Sequence, residues 1–165
     1  MDRYRVGKKL SGLIQRWKLE SSPLNAVGVW FYARSTQRYL YLLRNDPKHP
    51  GTWGLPGGKV EEGESLLDAM KRECSEEIGT FPIAERVIPI EQFTSNDGRF
   101  VYHTFFAVVP TEFTPLLNSE HLGYAWINNN EIPKPLHPGL WSTMNIEEVK
   151  SKVKVVEESF RHRSG

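Results

Sequence analysis

The sequence predicts an α/β fold in which helices cover both faces of a mixed β-sheet. Aromatic and aliphatic runs of strand length lie on both sides of a central segment with helical periodicity, and a helical pattern stands at each end of the chain. Strand pairs of this size are too small to be stable alone. We therefore expect a single domain over residues 1–165, with its core between about residue 24 and residue 160.

The first predicted elements are a helix and a β-hairpin. Apolar residues recur at helical spacing over residues 7–19, which predicts a short N-terminal helix. The runs 26–33 and 38–44 flank the polar segment 34–37, a pattern typical of two antiparallel strands. Aromatic residues alternate along both runs, so we expect some in the core and some outward, with core positions favoured.

Residues 45–58 predict a surface loop, because they include three prolines and four glycines. The next segment predicts a helix that Ser65 caps and that runs to Ile78. Gly79 follows at the position where a left-handed backbone is commonly needed. At about 100° per residue, the apolar residues of this helix form one stripe that we expect to face the core. They are Leu67, Met70, Cys74 and Ile78.

The second half of the chain predicts three more strands and a closing helix. Runs rich in β-branched and aromatic residues at 87–93 and 100–109 flank the turn signal at 95–98. A shorter apolar run at 124–127 predicts another strand, and a proline-rich loop follows it. Helical spacing over 146–160 predicts the last helix.

Composition and charge favour an ordinary globular protein and argue against several functional classes. The chain has 21 basic and 20 acidic residues, so no overall field attracts nucleic acid or an anionic membrane, and we expect neither as a partner. No apolar run approaches the roughly 18 to 20 residues that span a bilayer. The single cysteine, Cys74, cannot form an intramolecular disulfide, which favours a cytoplasmic location.

An acidic patch on the central helix is the predicted chemical site. Glu73, Glu76 and Glu77 are three and four residues apart, so they are neighbours on the helix surface. Most such clusters are solvated faces, but here Gly57 and Gly58 precede the helix in a loop where exposed backbone can approach an ion closely. Mg²⁺ prefers carboxylate oxygens and commonly bridges them to phosphate. Together these features favour a metal site.

This region resembles the Nudix box, whose pattern is G-x5-E-x7-R-E-U-x-E-E-x-G-U, where U is bulky and apolar. Its fixed positions are matched by Gly58, Glu64, Arg72, Glu73, Cys74, Glu76, Glu77 and Gly79. Cys74 is a small occupant of the first apolar position, and Thr80 stands at the second. The preceding residues 53–59 and the strand order also resemble the family, in particular its MutT-like branch.

The resemblance implies a Nudix-type α/β/α sandwich that binds Mg²⁺, with Mn²⁺ as a substitute. Glu76 and Glu77 would hold the cation, helped by the Gly58 carbonyl and by Glu73. A diphosphate repels an attacking oxygen because both are negative, and the cation neutralises that charge and lowers the pKa of bound water. The implied activity is therefore a pyrophosphohydrolase.

The resemblance also implies supporting and catalytic roles for other residues. Arg72 would orient Glu73 through a charge-assisted pair, and Glu64 would be a supporting carboxylate. The general base would be Glu73 or a glutamate on a later loop, for which Glu120 is the candidate. The sequence leaves both open.

Two basic residues are candidate binders of the substrate's phosphates. Lys59 directly follows the glycines, and Arg44 ends a predicted strand that faces the same loop. A charged side chain at such a position is at least as often simply exposed to solvent as it is bound to a ligand.

The expected substrate is a nucleoside diphosphate derivative, with nucleoside triphosphates, including oxidised dGTP, as the first choice. ADP-ribose, nucleotide sugars and dinucleoside polyphosphates are the alternatives. A nucleotide-sensing module that keeps the fold without turnover is the alternative from a different class, because fold does not fix function. Since many relatives of this family are dimers, a homodimer is a further expectation.

Overall fold

A computed structural model describes residues 22–161 and contains a seven-stranded sheet and three helices. The strands are β1 (Leu24–Ala33), β2 (Arg38–Arg44), β3 (Trp53–Gly54), β4 (Gly57–Lys59), β5 (Arg86–Thr94), β6 (Phe100–Val109) and β7 (His121–Ile127). The helices are α1 (Leu66–Ile78), α2 (Pro138–Met144) and α3 (Glu147–Arg161). The helix predicted over residues 7–19 lies outside the described residues.

The sheet is mixed. Its order is β3-β2-β1-β6-β5, with β4 paired to β1 and β7 paired to β2. The central pair, β1 and β6, is parallel over ten residues, and the other pairs are antiparallel. Both central strands are largely buried, as expected for strands that are covered on two faces.

Helices cover both faces of this sheet, which confirms the predicted α/β class. Side chains alternate along β1, so Val29 and Phe31 pack with α1 on one face, whereas Trp30 and Tyr32 pack on the other. The second face is closed by apolar residues of α2 and α3, among them Leu140, Val149, Val153 and Phe160. The hairpin aromatics Trp30, Tyr32, Tyr39 and Tyr41 are all buried, so the expectation that some of them face outward was wrong.

The ends of α1 agree with the sequence, but one predicted core residue does not. The Ser65 hydroxyl accepts a hydrogen bond from the Asp68 N–H at 3.0 Å, and Gly79 closes the helix with φ 83°. Leu67 was predicted in the core and is 45% exposed. At the start of the helix the core contact is made by Leu66 and Ala69 on the neighbouring side of the stripe, so Leu67 faces solvent.

Two further predictions need correction. Residues 45–58 were predicted to hold no regular element, yet β3 lies there and β4 begins there, because these short segments pair with β2 and β1. Helix α2 was also missed, since its proline-rich start resembles a loop. Proline is compatible with the first turn of a helix, and the His137 ring caps this one by accepting from the Gly139 N–H at 3.0 Å.

Among residues 22–161, no helix has both the length and the apolar character that crossing a bilayer requires.

Candidate active site

Strand β4 brings two glycines against the carboxylates of α1. The Gly57 N–H donates to Oε2 of Glu77 at 2.7 Å. A Cβ atom placed on Gly58 would lie 2.5 Å from the carboxyl carbon of Glu73, closer than side chains tolerate. The glycine loop and the acidic face predicted from the sequence are therefore in contact.

Arg72 hydrogen-bonds both Glu73 and Glu64 and so connects the two carboxylates. Its Nε and Nη2 donate to the two oxygens of Glu64 at 2.8 Å and 3.0 Å, and its Nη1 donates to Glu73 at 3.0 Å. Nη2 also donates to the Lys59 carbonyl at 2.8 Å, which ties α1 to β4. The bidentate bond to Arg72 lowers the pKa of Glu64. Arg72 is held by its bonds to Glu64, and it thereby fixes the position of the Glu73 carboxylate.

Glu77 is a buried carboxyl group, only 4% exposed. Burial is the main cause that raises its pKa to about 9, the Gly57 N–H opposes the shift, and nearby Glu120 adds to it. Burial also raises the pKa of Glu73, and the bond to Arg72 only partly offsets this. Both carboxyls therefore lie where negative charge is costly.

Glu120 is held beside Glu77 by two asparagines. The Asn118 side chain donates to the Glu76 carbonyl at 3.0 Å and accepts from the Glu120 N–H at 3.0 Å. The Asn45 N–H donates to the Glu120 carbonyl at 2.9 Å. These bonds fasten the loop before β7 to the C-terminal end of α1 and to the end of β2.

Glu77, Glu120 and His121 form a cluster, in which one potential ligand atom from each residue lies within 4.8 Å of the others. Two of the three are carboxyl groups, and like charges this close destabilise each other unless a cation compensates them. Nδ1 of His121 is buried and lacks a hydrogen-bond partner among the described residues. The donor set and the unpartnered nitrogen fit a divalent cation.

The remaining predicted residues lie around this cluster. Glu76 is exposed and contacts Arg72 at 3.4 Å. The Lys59 side chain is exposed, whereas its carbonyl binds Arg72. Arg44 pairs with His121 across β2 and β7, and its Nε binds Asp46 at 2.6 Å. Neither basic side chain is thus part of the cluster itself.

Three residues of the site were not anticipated from the sequence: Asn45, Asn118 and His121. The asparagines act through backbone contacts between distant segments, for which a sequence carries no local signal. His121 begins β7 directly after Glu120, and the face to which its side chain points depends on the pairing of β7 with β2.

The family model of the NUDIX domain matches residues 22–145, which is well over half of the chain. The chain belongs to the Nudix family. The family predicted from the box residues is therefore confirmed.

Relatives of known activity are similar over part of this Nudix chain. It is 33% identical to nucleoside triphosphatase NudI of Salmonella heidelberg, over 55% of this chain and 72% of that protein. It is 33% identical to NudI of Salmonella newport, over 50% of this chain and 66% of that protein. The chain thus spans about two thirds of the length of these relatives.

Solved structures confirm the Nudix fold, an α/β/α sandwich. The MutT NUDIX hydrolase from Burkholderia pseudomallei superposes with a TM-score of 0.62 at 24% identity, covering 78% of this chain and 97% of that one. The NUDIX domain of Shewanella oneidensis NrtR, complexed with ADP ribose, has a TM-score of 0.64 at 18% identity, covering 80% and 89%. These likenesses establish the fold alone.

The NUDIX domain match and the similarity to NudI together indicate a hydrolase that acts on phosphorus-containing anhydrides, and Nudix hydrolases generally use divalent metals.

The raised pKa of Glu77 predicts an inverse dependence of stability on pH. In EDTA the folded protein keeps the Glu77 proton up to about pH 9, whereas the unfolded chain loses it near 4.5. The folded state therefore binds more protons in this window, and stability falls as pH rises through it. A divalent cation binds ionised carboxylates, so it should raise Tm more at pH 8 than at pH 5.

Melting curves between pH 5 and pH 9, with EDTA or Mg²⁺, measure this effect. Glu77→Gln is the matched control, because it removes the titrating group and keeps the side-chain volume. In EDTA, the Tm of the wild type should fall relative to that of Glu77→Gln as pH rises. A wild type that instead gains Tm relative to Glu77→Gln would contradict the assignment of the raised pKa.

Proposed function

We propose that this Nudix hydrolase cleaves the diphosphate linkage of nucleoside triphosphates, including oxidised dGTP, by attack of water on phosphorus. The cluster of Glu77, Glu120 and His121, beside the Arg72-held Glu73, is the observation that carries the proposal. Similarity to NudI, a nucleoside triphosphatase, supports the substrate class. The products would be a nucleoside monophosphate and pyrophosphate.

The metal site of this proposal consists of Glu76, Glu77, Glu73 and the Gly58 carbonyl, with Mg²⁺ as the cation and Mn²⁺ as a substitute. When bound, the cation neutralises charge on the diphosphate and lowers the pKa of water. The burial of Glu77 and its bond from the Gly57 N–H support a fixed ligand geometry. Glu120 shares the cluster with Glu77, which supports a place for it among the ligands.

Glu73 is our proposed general base. Burial raises its pKa, which makes its carboxylate a better proton acceptor near neutral pH. Arg72 holds one of its oxygens at 3.0 Å, and Glu64 in turn holds Arg72. In Glu73→Gln, the fall of kcat at acidic pH should disappear from the pH profile. Glu120→Gln should keep this fall but require a higher metal concentration for its half-maximal rate. The opposite pattern would make Glu120 the base.

Lys59 and Arg44 are proposed to bind the outer phosphates of the substrate, because they flank the glycine strand and the cluster. Four expectations stay predictions: a single domain over residues 1–165, a cytoplasmic location, a homodimer and the absence of a nucleic-acid partner.

A substrate panel tests the proposal. Purified protein is incubated with nucleoside triphosphates, oxidised dGTP, ADP-ribose, nucleotide sugars and dinucleoside polyphosphates, with Mg²⁺, Mn²⁺ or EDTA, and the products are separated by chromatography. We expect metal-dependent release of a nucleoside monophosphate, with the highest kcat/KM for a triphosphate. A higher kcat/KM for ADP-ribose or another panel member would overturn the proposed substrate class but not the proposed reaction.

The sensing alternative has a different outcome in the same panel. A module without turnover would hydrolyse no member, and one ligand would raise its Tm. That result would overturn the proposed activity.

A further inference from the structure

The start of β7 departs from regular strand pairing next to the acidic cluster. Leu43 of β2 pairs with Gly123, but its neighbour Arg44 pairs with His121, so Leu122 is an extra residue without a partner. Leu122 is 65% exposed. Such a bulge changes the direction in which side chains point and is frequent beside active sites.

The bulge sets the face of the sheet to which His121 points. Glu120 lies in the turn that precedes β7, whereas His121 is the first residue of the strand, along which side chains alternate between the two faces. Here both side chains offer a ligand atom within 4.8 Å of a Glu77 oxygen on α1. His121 thereby occupies the position opposite Arg44 that a regular register would give to Leu122.

His121 has a ring nitrogen that is available to bind a metal ion. Its Nδ1 is buried and has no hydrogen-bond partner among residues 22–161, although most buried polar atoms in proteins are paired. Imidazole nitrogen binds transition-metal ions well, whereas sites for Mg²⁺ are built from oxygen donors and water. A nitrogen beside two carboxylates therefore changes which divalent ion the site prefers.

We propose that His121 donates an imidazole nitrogen to a divalent cation held by Glu77 and Glu120, and that this donor makes the site select Mn²⁺ and Co²⁺ over Mg²⁺. The proposal deepens the metal site of the proposed function and rests on it for the location of the cation. Its tests measure binding without substrate, so absence of turnover leaves them interpretable.

Pulsed electron paramagnetic resonance of Mn²⁺ bound to the wild-type protein is the direct test. We expect a ¹⁴N coupling typical of a directly bound imidazole, and we expect His121→Gln to lose it. His103→Gln is the matched control, because His103 binds Asn25 at 3.0 Å and lies outside the cluster, and it should keep the coupling. A wild-type spectrum with no nitrogen coupling would overturn the proposal, whatever the variants do.

Metal titrations by calorimetry test the selectivity. His121→Gln should lower Mn²⁺ and Co²⁺ affinity at least about tenfold, while Mg²⁺ affinity changes about threefold or less. Melting curves in EDTA establish that the variant is folded. Equal losses for all three ions, or none, would contradict a selective nitrogen ligand.

Discussion

Glu77→Gln lowers kcat by at least about a hundredfold and leaves the protein folded. The glutamine amide oxygen can still accept the Gly57 N–H bond that Glu77 Oε2 accepts at 2.7 Å, so the contact between α1 and β4 survives. The negative charge is lost, and a neutral amide is a weak ligand for a hard cation. The fold keeps its packing because the two side chains have nearly the same volume.

Steady-state kinetics and melting curves of Glu77→Gln measure the two parts of this prediction. Glu62→Gln is the matched control, because Glu62 is an exposed glutamate between β4 and α1, and its kcat should equal that of the wild type. Near-normal turnover of Glu77→Gln, with a normal melting curve, would remove Glu77 from the site.

Arg72→Lys lowers kcat by about tenfold to hundredfold, with a smaller change in KM. The guanidinium makes four bonds of 3.0 Å or less in different directions, two to Glu64, one to Glu73 and one to the Lys59 carbonyl. A lysine ammonium keeps the charge but cannot reproduce this planar set of donors. Glu73 would then lose its fixed orientation, and misplaced catalytic groups are costly in rate.

Arg38→Lys is the control for Arg72→Lys. Arg38 also binds a carboxylate, Glu112 at 2.6 Å, but this ion pair is partly exposed and no box residue takes part in it. The kcat of Arg38→Lys should therefore equal that of the wild type. A rise in KM at constant kcat for Arg72→Lys would show that Arg72 binds substrate rather than positions Glu73.

Most of the secondary structure was predictable because its signals are local. The hairpin of β1 and β2, the strand pair β5 and β6, and helix α1 each combine a clear hydrophobic period with turn or cap residues. β3 and β4 are stabilised by pairing with distant strands, which no local pattern reveals. The exposure of Leu67 depends on how α1 crosses the sheet, which its own sequence does not contain.

The candidate site divides in the same way. Glu73, Glu76 and Glu77 lie on one helix, so helical geometry predicts their proximity, although their exposure differs because Glu77 faces the core. The resemblance implied a supporting role for Glu64, but its two hydrogen bonds from Arg72 were not predicted. His121 joins the cluster through the bulge at Leu122, which depends on the pairing of β2 with β7. Such long-range pairing could not be predicted from sequence.

The proposed reaction is metal-dependent attack of water on a nucleoside triphosphate at the carboxylate site. Hydrolysis in ¹⁸O-labelled water, with mass spectrometry of the products, tests it most directly. We expect a nucleoside monophosphate and pyrophosphate, with one ¹⁸O atom in one of them, formed with Mg²⁺ or Mn²⁺ and not with EDTA. Unlabelled products, or equal rates with and without metal, would contradict it.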